Sequence, residues 1–588
     1  MNRILAGATC VVLPLAAWTA LPRAQADVDS EPDLAALMPE STWIYAEGPG
    51  LAGLFAGGLD HPLVARLLGS ELGELFLAQA ETSPEDALER VEERLGRSPL
   101  KALEAMTARG IALGVGYKRG EPVYAIAARG GEPEEMSAVL RDALGWAAEQ
   151  HGLERSQLIE PHGRIRGAGV WYLGDELTLA LEGDLFLASN DEGRLRDMLD
   201  LGALEEAAGL ASRPGFAEAT RGVAGDELAW AWFDLAGLAQ VAAEPVKNLR
   251  AATGNPGLQF LLGPVFCALG SGEAAYVELE LDAERLALDV ESFGVAAGVA
   301  QSVQLPLDAR PPSLPSAKES DGARALVYRD LAGLFRQRTE MFPADVLPKF
   351  AEATSTLALF FGGADVTDGI LPAISPWLGV IVRPVAFDEG ATPDIPLPAA
   401  AIVARLEDAG RLGEQMFGAF HTLVGVINVE AAQNMQPQLI PKLELVQADQ
   451  VLSAHYVEPA PGGGVDLRYN LVPAVALVDD AFVLATHREL AKELVGQLRR
   501  GEVEAPAGGG EHLSLEGAAA ARVVRDNAEA LAMNGVLNEG KTMEQASGEV
   551  RALASIADMV ERLELFTQRP TAASLRVGLR VDFTERGE

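Results

Sequence analysis

Ile111-Ala112-Leu113-Gly114-Val115-Gly116-Tyr117, then Lys118-Arg119-Gly120-Glu121, then Val123-Tyr124-Ala125-Ile126-Ala127-Ala128, is two apolar segments joined by a polar, glycine-bearing turn. Alternation around such a turn predicts a β-hairpin, and hence an antiparallel sheet. The second arm also recurs. Ala125-Ile126-Ala127-Ala128-Arg129 returns as Ala401-Ile402-Val403-Ala404-Arg405. Four further patterns return in the same order. Leu51-Ala52-Gly53-Leu54-Phe55 is repeated letter for letter at 331–335, and Gly183 to Ser189 matches Asp480 to Thr486. Trp232 to Ala236 is echoed at Val524 to Ala528, and Leu286 to Val290 at Val577 to Val581. A kept order with changing loop lengths predicts two similar halves.

Working outward, helical and alternating periods take turns. Pro62 opens a helix with Val64, Leu67, Leu68, Leu72, Leu75 and Phe76 on one face, and Ser83-Pro84-Glu85-Asp86 starts another. Glu132-Pro133-Glu134-Glu135 begins a third, its acids placed where the helix dipole favours them. Strands are expected at 170–173, 177–181 and 185–189, a helix capped by Asn190-Asp191, and a closing hairpin at 276–281 and 286–292. The second half restarts at Leu326-Val327-Tyr328, and an extra segment at 429–450 enlarges it. Hairpins outnumber strand–helix–strand crossovers, so the fold class is α+β. Each half is expected to be a mainly antiparallel sheet with helices packed on one face. The expected boundaries are a signal peptide at 1–26, a first repeat at 27–300, a proline-rich linker at 301–322 and a second repeat at 323–588.

The start of the chain reads as an export signal. Arg3 precedes an apolar run from Ile4 to Leu21, and Ala24-Gln25-Ala26 offers the small residues a signal peptidase needs. The alternative is an uncleaved membrane anchor. Removing residues 1–26 removes Arg3 and Arg23 and no acid, so the formal charge goes from -38 to -40. So acidic a surface repels nucleic acid and anionic headgroups. Of the two cysteines, Cys10 lies in the signal, leaving Cys267 without a disulfide partner in an apolar stretch. That thiol reads as a core residue. No segment after residue 27 reads as a membrane span.

Reactive constellations are few. Gly48-Pro49-Gly50-Leu51-Ala52-Gly53 fits the spacing of a dinucleotide turn, but a proline separates the first two glycines and no parallel crossover follows. Asp234, Asp330 and Asp526 are each expected between a strand and a helix, where a carboxylate caps the first turn more simply than it holds a metal. The histidines (61, 151, 162, 421, 455, 487, 512) fall in no zinc-binding motif. Asp365 to Gly369 lacks acids where a calcium loop needs them. Glu205-Glu206 and Asp479-Asp480 read as solvated acids. No catalytic, cofactor-binding or metal residue is assigned, and no cofactor is expected.

Met38-Pro39-Glu40-Ser41-Thr42-Trp43-Ile44-Tyr45, followed by Leu51-Ala52-Gly53-Leu54, resembles the opening of a family of exported bacterial proteins carrying a duplicated domain of unknown function. The turn, apolar strand, serine and helix at Gly183 to Leu199 resemble a second signature of that family. The resemblance implies secretion or lipid anchoring, and brings no activity, cofactor or catalytic residue. The expectation is therefore an exported, non-catalytic envelope or extracellular protein with a structural or binding role. Its partner would be a protein or polymer of the envelope, not nucleic acid, and its location the periplasm or the outside of the cell. The alternative is a hydrolase of envelope or extracellular polymer using carboxylates from both lobes.

Overall fold

A computed structural model describes residues 34–50, 65–66, 69, 84–150, 154, 156–174, 177–203, 209–220, 229–241, 256–282, 284–295, 305–307, 310–341, 347–387, 392–435, 437–456, 468–505 and 510–584. The signal segment, the helix expected from Pro62 apart from residues 65, 66 and 69, the whole of Leu51 to Phe55, Glu205-Glu206, His61 and His151 lie outside them. The chain divides into two compact units, 1–247 with 272–294, and 248–271 with 295–588. The class is α+β, with large antiparallel sheets and many helices.

The first unit contributes β1 (Thr42–Gly48), β2 (Gly110–Lys118), β3 (Glu121–Arg129), β4 (Gly163–Ile165), β5 (Ala168–Leu173), β6 (Leu177–Glu182), β7 (Leu185–Ser189), β8 (Ala229–Asp234), β9 (Ala274–Leu281) and β10 (Arg285–Phe293). Their order is β10-β9-β8-β1-β2-β3-β7-β6-β5-β4, every neighbouring pair antiparallel. The opening hairpin is β2–β3. Lys118 pairs with Glu121, and Arg119 and Gly120 both take positive φ (58° and 87°), the twist a two-residue hairpin turn requires. Its helices include α1 (Pro84–Leu95), α2 (Pro99–Thr107), α3 (Pro133–Gln150), α4 (Glu192–Ala203), α5 (Pro214–Ala219) and α6 (Leu235–Val241). Asp191 caps α4, its carboxylate accepting from the Arg194 amide at 2.8 Å, while Leu195, Met198 and Leu199 enter the core.

The second unit holds α7 (Pro256–Leu269), with Pro264 inside it and Cys267 buried. It continues with β11 (Leu314–Pro315), β12 (Ala323–Tyr328), β13 (Ile374–Arg383), β14 (Ala399–Leu406), β15 (Leu439–Val446), β16 (Asp449–Tyr456), β17 (Ala474–Val478), β18 (Ala481–Ala485), β19 (Val503–Glu504), β20 (Glu511–Glu516), β21 (Val560–Gln568) and β22 (Ser574–Phe583). The main sheet runs β22-β21-β20-β12-β13-β14-β18-β17-β16-β15, again antiparallel throughout. Strand for strand, this is the order of the first unit. Its further helices include α8 (Leu331–Arg336), α9 (Leu347–Phe360), α10 (Ala409–Gln433), α11 (Arg488–Arg500), α12 (Gly517–Asp526), α13 (Ala528–Glu539) and α14 (Met543–Met559). The segment at 429–450 is not extra: it is the end of α10 and most of the β15–β16 hairpin, a longer counterpart of β4–β5 in the first unit. Part of the proline-rich stretch packs: Leu305 and Leu314 are buried, and Leu314 lies so close over Gly379 that a side chain there would collide with it.

Three recurring patterns fall on corresponding strands: β3 with β14, β7 with β18, and β10 with β22. The pairing of Trp232 to Ala236 with Val524 to Ala528 does not hold. Trp232 to Asp234 ends β8, whereas Val524 to Asp526 ends α12 and Ala528 opens α13. The strand in the place of β8 is β20, and the alanine-rich run after Gly517 favours helix over strand. Among the described residues no helix is long and apolar enough to cross a membrane.

Candidate functional site

Residues paired across antiparallel strands share a face of the sheet, so hydrogen-bond registers locate equivalent positions in the two units. From Ala125 the row runs Gly114, Tyr45, Trp232, Tyr276, Glu291. From Ala401 it runs Ile381, Arg324, Ser514, Glu564, Arg580. Two residues along, Trp230 and Glu278 correspond to His512 and Phe566. The rows match in place and differ in chemistry.

In the first unit this face is filled by the chain itself. Phe216 of α5 stands edge-on to Tyr45 (5.5 Å) and Trp232 (5.3 Å), and Trp230 packs against Tyr45 at 5.1 Å. Such contacts add about 0.5–1.5 kcal/mol each to the burial of the rings. Arg213, just before α5, lies over the Trp232 ring and pairs with Asp234. In the second unit the face is a hollow of about 970 Å³, floored by β12, β20, β21 and β22 and walled by the β11–β19 ribbon. The cause is chain length. A bridge between Pro39 and Gly209 in the first unit occupies the place of the β11–β19 pair. From it, residues 210–228 lead to β8 and carry α5, whereas 505–510 lead from β19 to β20.

Paired charges line the hollow. At one end Asp321, 3% exposed, binds Arg383 and accepts from Arg324 at 2.9 Å. Burial alone would push its carboxyl up, but hydrogen bonds from Arg383 and Arg324 outweigh that and hold it below the ordinary value. Arg383 continues to Gln497 (3.1 Å), whose amide donates to the Ser316 carbonyl. At the other end Glu511 is buried, pairs with buried Arg329, and accepts from the Tyr328 amide (2.8 Å) and the Thr567 hydroxyl (2.6 Å). On the floor Arg562 pairs with Glu516 at 2.8 Å, and its guanidinium is raised by that hydrogen bond above all. Glu564 lies 3.5 Å from His512 Nε2 and 3.9 Å from Arg562. Arg580 lies 4.7 Å above the Phe566 ring.

Of the residues singled out in the sequence, Asp234 and Asp330 are helix caps, accepting from the Gly237 and Gly333 amides at 2.8 and 2.9 Å. Both stand in Asp-Leu-Ala-Gly-Leu, at 234–238 and 330–334, an identity that would have identified them as one motif. Asp526 is not at a strand-to-helix corner; it is the last residue of α12. Asp365 caps the turn at 366–370 by accepting from the Asp368 amide. Asp479 and Asp480 pair with Arg499 and Arg405. Gly50 sits where a side chain would strike the Thr107 carbonyl, a close approach that gives that glycine a packing role. His512 alone of the described histidines lines the hollow; His421 lines a smaller, apolar one of about 660 Å³ beside α10. No group of three or more His, Cys, Asp or Glu among the described residues is placed to hold a metal ion. Sequence reasoning missed the hollow, because its floor is assembled from strands far apart in the chain.

No family model matches the chain, and no curated protein matches it. Among solved structures, TP0453 in crystal form I is similar over 47% of this chain and 89% of its own, at 8% identity and a TM-score of 0.25. Crystal form III gives 46% and 82%, 9% identity and a TM-score of 0.25. Crystal form IV gives 45% and 81%, 10% identity and a TM-score of 0.23.

Proposed function

We propose that this is an exported, non-catalytic protein of the envelope or extracellular space, made of two copies of one domain. In this reading the first copy fills a sheet face with its own chain, and the second keeps that face open to bind a ligand. The observation that carries it is the hollow itself, large, polar and built on the scaffold that is plugged in the first unit. Its ionisable groups support binding over acid–base chemistry. A catalytic acid needs a raised carboxyl. In the lining, Asp321 is displaced downward, held there by Arg383 and Arg324. Export rests on the Ile4 to Leu21 run and Ala24-Gln25-Ala26.

Two measurements on the protein from producing cells test the reading. Mass spectrometry of the mature chain is expected to find Asp27 at the N-terminus. Incubation with isolated envelope polymer is expected to release no fragments. A chain that stays in the cytoplasm with residues 1–26 attached overturns export, and fragment release at enzyme-like rates overturns the non-catalytic role in favour of a hydrolase.

A further inference from the structure

We infer that the open face of the second unit binds an oxyanion, a carboxylate or phosphate group, with Arg580 as its principal partner. The inference rests on the reading of the hollow as a binding site and adds the chemistry of what enters it. Most charged groups in the lining already hold one another. Asp321 is held by Arg383 and Arg324, Glu504 by Arg324, Glu511 by Arg329, and Glu516 by Arg562. Arg580 differs. Its guanidinium lies over Phe566 and makes no hydrogen bond or ion pair to a carboxylate among the described residues. A guanidinium over an aromatic face spends none of its N–H donors on hydrogen bonds to that ring, which leaves them for a carboxylate or phosphate. Ser514, in the same cross-strand row, keeps a hydroxyl with no partner among the described residues, and His512 flanks it.

Glu564 sits between Ser514 and Arg580 in that row and sets the strength of the site. It is shared with His512 and Arg562, and its charge weakens the pull of Arg580 on an incoming anion. Six carboxylates and four cationic side chains line the hollow in a chain of formal charge -38, so Arg580 would hold an anion by direct pairing and not through the surrounding field.

Calorimetric titration of the full mature chain at low ionic strength, with citrate, inorganic phosphate, triglutamate and trilysine, tests the inference. At least one oxyanion probe is expected to bind, and which one separates a small polycarboxylate, a phosphate and an acidic peptide. Arg580→Gln is expected to weaken that probe about tenfold or more, and Glu564→Gln to tighten it several-fold. A merely structural disturbance would not produce the second effect. Arg525→Gln, which removes an exposed ion pair with Asp558 elsewhere, is expected to change nothing. Oxyanion binding indifferent to Arg580→Gln overturns the inference. Binding of trilysine alone also overturns it, while leaving the hollow a binding site. Silence from every probe overturns the inference and removes the binding role of the hollow with it.

Discussion

Asp321 illustrates how charge is used in this molecule. It is buried with Arg383; Asp321 accepts from the Lys318 amide, Arg383 donates to Gln497, and Gln497 donates on to the Ser316 carbonyl. Its carboxyl is held below the ordinary 3.8. A group depressed on folding contributes stability above its unfolded value and loses it as pH falls through the folded value. Asp321→Asn is therefore expected to cost about 3 kcal/mol near neutral pH, because it leaves buried Arg383 with Glu493, more exposed and 3.4 Å away, as its remaining counter-charge. That difference from the parent should hold from pH 8 to about 5 and shrink below about 3.8 in urea melts. A difference that does not change with pH would show that packing, not charge, sets the effect. None of this was legible in the sequence, since Asp321 and Arg383 are brought together by the β12–β13 register. The caps were legible. Asp234 and Asp330 precede apolar helix starts, and local chemistry decides a cap. Asp526 was misplaced because its neighbours were read as strand.

At the scale of elements, α5 decides which face is open. Phe216 is buried among Tyr45, Trp230 and Trp232, so Phe216→Ala removes the wedge that closes the first unit. The expected loss is about 3–5 kcal/mol by urea denaturation, with a red shift of tryptophan emission as Trp230 and Trp232 meet water. A loss under about 1 kcal/mol would mean that α5 merely lies on the sheet. The hairpins were readable because turn and alternation are local signals: Arg119-Gly120 and Gly183 both take the positive φ their turns demand. The absence of an α5 counterpart was hidden by one false match. Pairing Trp232 with Val524 placed a strand inside α12 and so concealed that 505–510 is short.

For the whole molecule, two units with one strand order present opposite solutions on the same face. One buries aromatic rings under its own chain, and the other leaves a polar floor. The antiparallel α+β class was readable from repeating local patterns, but the hollow required registers across β12, β20, β21 and β22. The decisive measurement is the reactivity of a single thiol on that floor. In a chain starting at Asp27 with Cys267→Ser, Ser514→Cys is expected to react with a charged thiol reagent under native conditions, within about tenfold of a free thiol's rate. Labelling that proceeds only as fast as the protein unfolds would place Ser514 in a closed core and contradict the account.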